Sequence, residues 1–396
     1  MTTTVEGRIP WASPVLRIAL ASTLVGVLDV TLVSPLLPAI ADRFGVGPAR
    51  ASLVITAYTL PGIALSPVAG ALADRYGRRP VLAGSLTLFA CCGTAVLAVQ
   101  NFDALLLLRA GQGVAAGGLF SVSVTLLGDA FEGAERTAVL GLNAAVIAVG
   151  ATVYPLVGGW LGAVSWQAPF ALYAVGLPVA VWVVRGLADP PATTAPEGGL
   201  AYVRNSLREL PRRAAATVFS ALFGAYVLLF GAVFTAVPFL LAGSGLSAVA
   251  IGAVISASAL TGAVVALSSG RLAAVSPYRR IGGGFCAYGV GVGTVALAPS
   301  PPAIALGAVV VGAGQGAVLP AIDGRVSDLV SRRYRAGVVG LRTSVVSLGA
   351  TVGPVGFTVA AARLGSRPTL LVGGCVALVG GLALLWRGDN HIHAGS

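Results

Sequence analysis

Twelve long apolar runs dominate this chain, near residues 17–40, 51–73, 80–99, 104–127, 137–163 and 167–185, then near 214–242, 246–268, 280–298, 303–323, 336–362 and 367–386. A helix needs about 20 residues to cross the roughly 30 Å of hydrocarbon in a bilayer, so each run is long enough to span one. What remains of the 396 residues is divided among two ends and eleven connections, too little for an appended nucleotide-binding or catalytic domain. Hydrophobic residues make up 56% of the chain and charged ones 10%, so any machinery must work inside the membrane. The first run is too long for the core of a cleaved signal peptide and is kept as a helix. The reading is an all-α membrane protein with twelve transmembrane helices in two six-helix, pseudo-symmetric halves. These halves are residues 1–185 and 214–396, joined by a cytoplasmic linker over 186–213.

The net charge of +11 arises from 25 Arg against 14 acidic residues, with no Lys. With both termini in the cytoplasm, nineteen arginines fall on the inner side and only Arg43, Arg50, Arg363 and Arg367 on the outer, leaving Arg109 and Arg342 inside runs. This is the positive-inside bias, and it explains the basic balance without nucleic acid. All five Trp fall near run ends, where their rings can anchor at the headgroups. The linker carries Leu200, Val203, Leu207 and Leu210 at helical spacing beside Arg204 and Arg208. That pattern suits an interfacial helix on the anionic inner leaflet, or a plain flexible tether.

The four Cys show neither disulfide nor metal-ligand spacing, and His391 and His393 lie in the C-terminal tail. No metal or organic cofactor is expected. An intramembrane enzyme would need a converging nucleophile and base, which the sequence does not offer.

The two halves repeat. Asp129, Arg136, Val139, Gly141, Leu142, Gly150, Ala151, Thr152, Val153 and Pro155 recur 199 positions later as Asp328, Arg335, Val338, Gly340, Leu341, Gly349, Ala350, Thr351, Val352 and Pro354. Gly, Ala and Val match easily by chance in such a composition, but Asp, Arg, Thr and Pro at one offset do not. Two parallel six-helix repeats are a transporter design, with substrate near the midplane and access alternating by rocking, and they favour this over a passive channel.

The segment Gly70-Ala71-Leu72-Ala73-Asp74-Arg75-Tyr76-Gly77-Arg78-Arg79 closely resembles the signature loop of the major facilitator superfamily. Arg109, Gln112, Gly113 and Gly117 stand at the spacing of a second motif of that family. Gly141, Gly150, Pro155, Gly158 and Gly159 nearly match a third, the antiporter motif of helix 5, with Tyr154 where glycine is expected. With the twelve runs, the resemblance covers the whole chain and is strongest to the twelve-helix drug/proton antiporters. It implies that Asp74 latches the cytoplasmic side, together with Arg75, Arg78 and Arg79, against the N-terminal end of helix 11. The alternative is a solvated loop whose arginines only orient the chain. The corresponding loop of the second half, Gly270 to Arg280, has Ala274 in place of Asp74.

Asp29 is the one acid read deep within a run, at a cost of about 2.5–3.5 kcal/mol on the insertion scale. Ser22, Gly26 and Asp29 are spaced to share one helix face. Burial favours the neutral acid and a neighbouring guanidinium favours the carboxylate, so Asp29 is a candidate proton-coupling site; a static, hydrogen-bonded Asp is the alternative. Arg109 is a fixed charge that either influences Asp29 or snorkels to the interface. Arg342 stands at the repeat position of Asn143 and either attracts an anionic substrate group or neutralises Asp29 or Asp323. Tyr154 either faces the cavity or loosens the helix packing. Tyr58, Gln112, Asn143, Tyr154, Tyr226, Phe230, Phe234 and Arg342 are the candidate cavity residues.

The expectation is a monomeric, multi-pass plasma-membrane transporter in contact with the lipid bilayer and a small-molecule substrate, with the proton as coupling ion. Efflux of a small lipophilic or cationic organic compound is the leading reading. Import of a metabolite by proton symport and export of a sugar or metabolite are the alternatives.

Overall fold

The computed structural model describes residues 9–187, 210–271, 275–329 and 335–393, apart from the side chains at 66, 67, 69–71, 74, 327, 328, 335–337, 339 and 387–393. Every regular element among them is helical. The first half comprises α1 (Pro14–Phe44), α2 (Leu53–Tyr76), α3 (Arg78–Ala98), α4 (Phe102–Ala130), α5 (Gly133–Gly162) and α6 (Ala168–Gly186). The second comprises α7 (Arg212–Gly243), α8 (Ala248–Gly270), α9 (Pro277–Leu297), α10 (Pro301–Asp328), α11 (Arg335–Leu364) and α12 (Ser366–His393). The helices run past the apolar stretches because hydropathy marks only the part of a helix that meets hydrocarbon.

Ten of these segments are long and apolar enough to cross a membrane. The other two, α2 and α9, have the length, 24 and 21 residues, and pack among them. Six glycines in α9 lower its hydropathy and serve packing instead. A Cβ on Gly282 or Gly289 would stand 2.8 Å from a carbonyl of α12, and one on Gly291 would stand 2.7 Å from a carbonyl of α10. Helices in lipid associate through such close backbone approach, because hydrocarbon gives no hydrophobic drive between them.

The hairpin alternation collects Arg75, Arg78, Arg79, Arg136, Arg185, Arg212, Arg213, Arg271, Arg279, Arg280 and Arg325 at one end of the bundle, and Arg43, Arg50, Arg363 and Arg367 at the other. The linker, for residues 188–209, and Ala274 lie outside the described residues. Of the tryptophans, Trp11, Trp160, Trp182 and Trp386 are exposed, whereas Trp166 is buried against Phe44 and Phe170 with edge contacts at 5.3 and 6.2 Å.

The repeat is visible in three dimensions. Helices α5 and α11 each have 30 residues with an internal proline, Pro155 and Pro354. The halves meet chiefly through α5 against α8 and α11 against α2, which is one interface formed twice, since α8 is the counterpart of α2. On the α5–α8 side, a Cβ on Gly159 would lie 2.3 Å from the carbonyl of Ala248, and one on Gly252 would lie 2.1 Å from that of Pro155. On the α2–α11 side, hydroxyls take over: Ser52 with Thr358 at 3.1 Å, and Thr351 to Thr59 at 3.0 Å. These contacts occupy the Arg-poor end and reach to mid-depth, where Ser344 donates to the carbonyl of Ile63. Toward the Arg-rich end, the repeat partners Gly141 and Gly340 face open space.

Candidate functional site

The first helix of each half departs from regular geometry at the same depth. In α1 the regular bonding ends at Gly26: Leu28 N–H turns to the carbonyl of Val25 and Asp29 N–H to that of Val27. Asp29 takes up φ −108°, ψ −124°, and its carboxylate accepts from Thr31 N–H at 3.1 Å, capping the short helix Val30–Val33. A short acidic side chain that can satisfy the backbone locally is the residue type that makes such a break tolerable in lipid. The stripe read from Ser22 through Gly26 to Asp29 is therefore interrupted. Ser22 and Gly26 are buried, Gly26 beneath the ring of Phe120, while Asp29 lies beyond the break and is partly exposed.

The break releases the carbonyl of Leu24, which Leu28 N–H would otherwise bond. The Tyr154 hydroxyl donates to it at 2.9 Å. This is the physical reason for a tyrosine within a glycine stripe: an orphaned carbonyl in the membrane must be satisfied. The neighbouring glycines keep α5 close to both parts of α1. A Cβ on Gly150 would stand 2.8 Å from Val27 and one on Gly158 would stand 2.2 Å from the carbonyl of Leu32. The hydroxyl of Tyr173 reaches the Asp29 carbonyl at 3.5 Å.

Arg109 does not snorkel. It is fully buried, and its Nε donates to the carbonyl of Val54 at 3.2 Å. One Nη reaches Gln112 Oε1 at 2.9 Å and the Tyr173 hydroxyl at 3.4 Å, while the guanidinium lies 4.5 Å from the ring centroid of Tyr58. Gly113 permits this by bringing α4 against α2: a Cβ there would be 2.0 Å from the carbonyl of Tyr58. The other Arg109 Nη, Gln112 Nε2 and the Tyr58 hydroxyl are buried without a protein partner. Tyr173 thus bridges the buried cation and the α1 break, and the field of Arg109 extends to Asp29.

The second half is built differently. Helix α7 winds as a π-helix over Leu229–Ala236, a form concentrated at functional sites. The wider turn lets Thr235 Oγ1 donate to the Phe230 carbonyl at 2.7 Å, and the Phe234 carbonyl accepts from Ser34 of α1, also at 2.7 Å. Ser34 and Phe234 are 200 positions apart, close to the repeat offset, so the two irregular helices touch near the axis relating the halves. Tyr226 stacks on Phe230 with centroids 6.1 Å apart, and Phe230 meets Phe234 edge-on at 5.1 Å. Arg342 grips Asp323 with both ends of its fork, at 2.6 and 2.9 Å. The side chains of the two are 26% and 46% exposed, so this pair is open where Arg109 is sealed.

Of the candidate cavity residues, Tyr58, Gln112, Asn143 and Phe234 are buried, Asn143 accepting from Thr23 at 2.7 Å. Tyr154, Tyr226, Phe230 and Arg342 are partly exposed. At the Arg-rich end, Gly77 turns the chain from α2 to α3 at φ +92°, a value that favours glycine. Arg75 lies over Tyr76, and Arg78 pairs with Asp129 at the end of α4. Gly70, the Asp74 side chain and the residues that lead into α11 lie outside the described set. Tyr173 was not singled out by sequence, because it carries no motif. Of the two acids that the sequence offers Arg342, Asp29 and Asp323, the structure pairs it with Asp323, inside an α10 that continues to Asp328.

The model of the Major Facilitator Superfamily matches residues 19–288 and 236–394. The multidrug transporter protein MdtP of Bacillus subtilis (strain 168) is 27% identical over 166 residues, 40% of this chain and 30% of that protein. The cephamycin export protein CmcT of Amycolatopsis lactamdurans is 29% identical over 182 residues, 45% of this chain and 37% of that protein. The chain therefore spans about a third of the length of these two relatives. A bacterial homolog to the human lysosomal transporter Spinster, in an inward-facing and unoccupied conformation, superposes with a TM-score of 0.78 at 17% identity, covering 97% of this chain and 98% of that one. That likeness is one of fold. With paired six-helix halves and a family model that matches nearly every helix, the chain belongs to the Major Facilitator Superfamily.

Proposed function

We propose that the protein is a proton-coupled secondary transporter of the plasma membrane that exports a small lipophilic or cationic organic compound by alternating access. The observation that carries this reading is Asp29. It is an acid at a helix break, partly exposed, bonded through its side chain to one backbone N–H, and within the field of a buried arginine. A carboxylate that exchanges protons needs access in at least one state, and the partial exposure of Asp29 supports that reading. Proton release would leave a negative site that suits a cation, which links the proton to the substrate in opposite directions. The names of the two curated relatives, a multidrug transporter and an export protein, are consistent with this direction.

By the positive-inside bias the Arg-rich end faces the cytoplasm. The contacts that join the halves at the other end then close the external side, and Gly141 and Gly340 open toward the cytoplasm. Asp74 would act in the opposite state, by docking on the positive N-terminal end of α11 when the cytoplasmic side shuts. The test is accumulation of ethidium in proteoliposomes under an imposed pH gradient. Uphill movement against proton flow supports antiport. Uphill movement with proton flow would make the protein a symporter, and dissipation alone would make it a channel.

A further inference from the structure

The second half holds a charged pair that proton coupling through Asp29 does not use. Arg342 lies seven residues into α11 and Asp323 five residues before the end of α10, so both sit well inside their helices toward the Arg-rich end. Both partners are partly exposed, and they lie toward the end where Gly141 and Gly340 face open space.

What surrounds the pair is specific. Gly349, two helical turns after Arg342 and on the same face of α11, is pressed against Tyr226, where an added Cβ would stand 2.8 Å from the Tyr226 Cβ. Tyr226 stacks on Phe230 and so begins an aromatic wall that runs from Arg342 toward the midplane. The charges of Arg342 and Asp323, from its own half, and of Asp29, from the other, act on Tyr226.

We propose that Arg342 is the anchor for a carboxylate on the transported compound, and that Asp323 occupies that place when the site is empty. The guanidinium fork matches a planar carboxylate through two parallel hydrogen bonds, which is the geometry it forms with Asp323. A substrate carboxylate can replace the Asp323 carboxylate bond for bond while its aromatic body lies on Tyr226 and Phe230. The class of ligand is an aromatic carboxylate. The inference rests on the transporter reading and adds lipophilic aromatic acids to the compounds it would carry.

The probes are indole-3-propionate and its uncharged isostere indole-3-propionamide, whose affinities are read by titration of the full chain in nanodiscs. The acid is expected to bind the wild type about tenfold more tightly than the amide, the worth of a charge-assisted bidentate contact. Asp323→Asn removes the internal competitor and should tighten the acid a further several-fold while leaving the amide unchanged. Arg342→Gln should abolish the preference, and Asp29→Asn should preserve it, so failure of the proton-coupling reading leaves this test intact. An acid that binds no better than its amide to the wild type and to Asp323→Asn, or that binds neither protein, overturns the proposal. So does a preference that survives Arg342→Gln. Because Asp323→Asn keeps the arginine and the volume of its partner, the test stands even if Arg342→Gln fails to fold.

Discussion

The two halves are built on one repeat, yet they treat charge in opposite ways. The first encloses Arg109 completely, bonds it to a backbone carbonyl, an amide and a phenol, and leaves its acid, Asp29, at a helix break with partial access. The second leaves its arginine partly exposed and locks its acid onto it. Ala110-Gly111-Gln112-Gly113 recurs 203 positions later as Ala313-Gly314-Gln315-Gly316, which puts Gly312 opposite Arg109. A Cβ on Gly312 would stand 2.0 Å from the Ser258 carbonyl, so helix contact replaces the cation altogether. The lesson is that duplication fixes the scaffold, while the charges placed on it diverge between the halves.

The strongest way to break this contrast is at Asp29. Asp29→Asn should abolish gradient-driven accumulation of ethidium in proteoliposomes while energy-independent exchange continues, and retained accumulation would remove Asp29 from the mechanism. Next in size, Arg109→Leu deletes charged hydrogen bonds and strands Gln112 and Tyr173 in the interior. It should cost about 3 kcal/mol, read as a marked fall in the unfolding temperature of the detergent-solubilised protein. Arg342→Gln breaks a partly solvated pair and should cost about 1 kcal/mol or less by the same measurement. Equal losses at Arg109 and Arg342 would erase the distinction between the halves.

The two faces of the inter-half seam sharpen the comparison further. Gly252→Val places a side chain against the Pro155 carbonyl where even a Cβ has only 2.1 Å, and overpacking of this kind costs about 1–3 kcal/mol. The state that separates α5 from α8 should gain population, seen as faster labelling of a Ser34→Cys reporter by an impermeant maleimide added from the Arg-poor side. Thr351→Val removes one hydroxyl contact from the pseudo-symmetric α2–α11 face. Hydrogen bonds between membrane helices average about 0.6 kcal/mol, so the change in labelling should be small.

The twelve apolar runs fall on the twelve long helices of the described residues to within a few residues at most ends, because hydropathy reports directly on contact with lipid. The repeat anticipated that α5 and α11 would correspond. What it could not show was where the helices stop being regular. The break at Asp29 depends on Tyr154 and Tyr173 arriving from α5 and from the start of α6 to satisfy the freed backbone. The π-helical stretch of α7 carries no local signature, since Leu229–Ala236 is as apolar as its neighbours. The sequence offered Asp29 and Asp323 as alternative partners of Arg342. Tertiary packing makes the choice, across 19 residues and two helices.

The central claim is that the Asp29 carboxyl gains and loses a proton inside the bundle. Infrared difference titration of the protein in nanodiscs reads this without any substrate, through the carbonyl stretch of a protonated carboxylic acid. The expected result is a band that grows as the pH falls and is missing from the titration of Asp29→Asn. A titration left unchanged by that substitution would contradict the account.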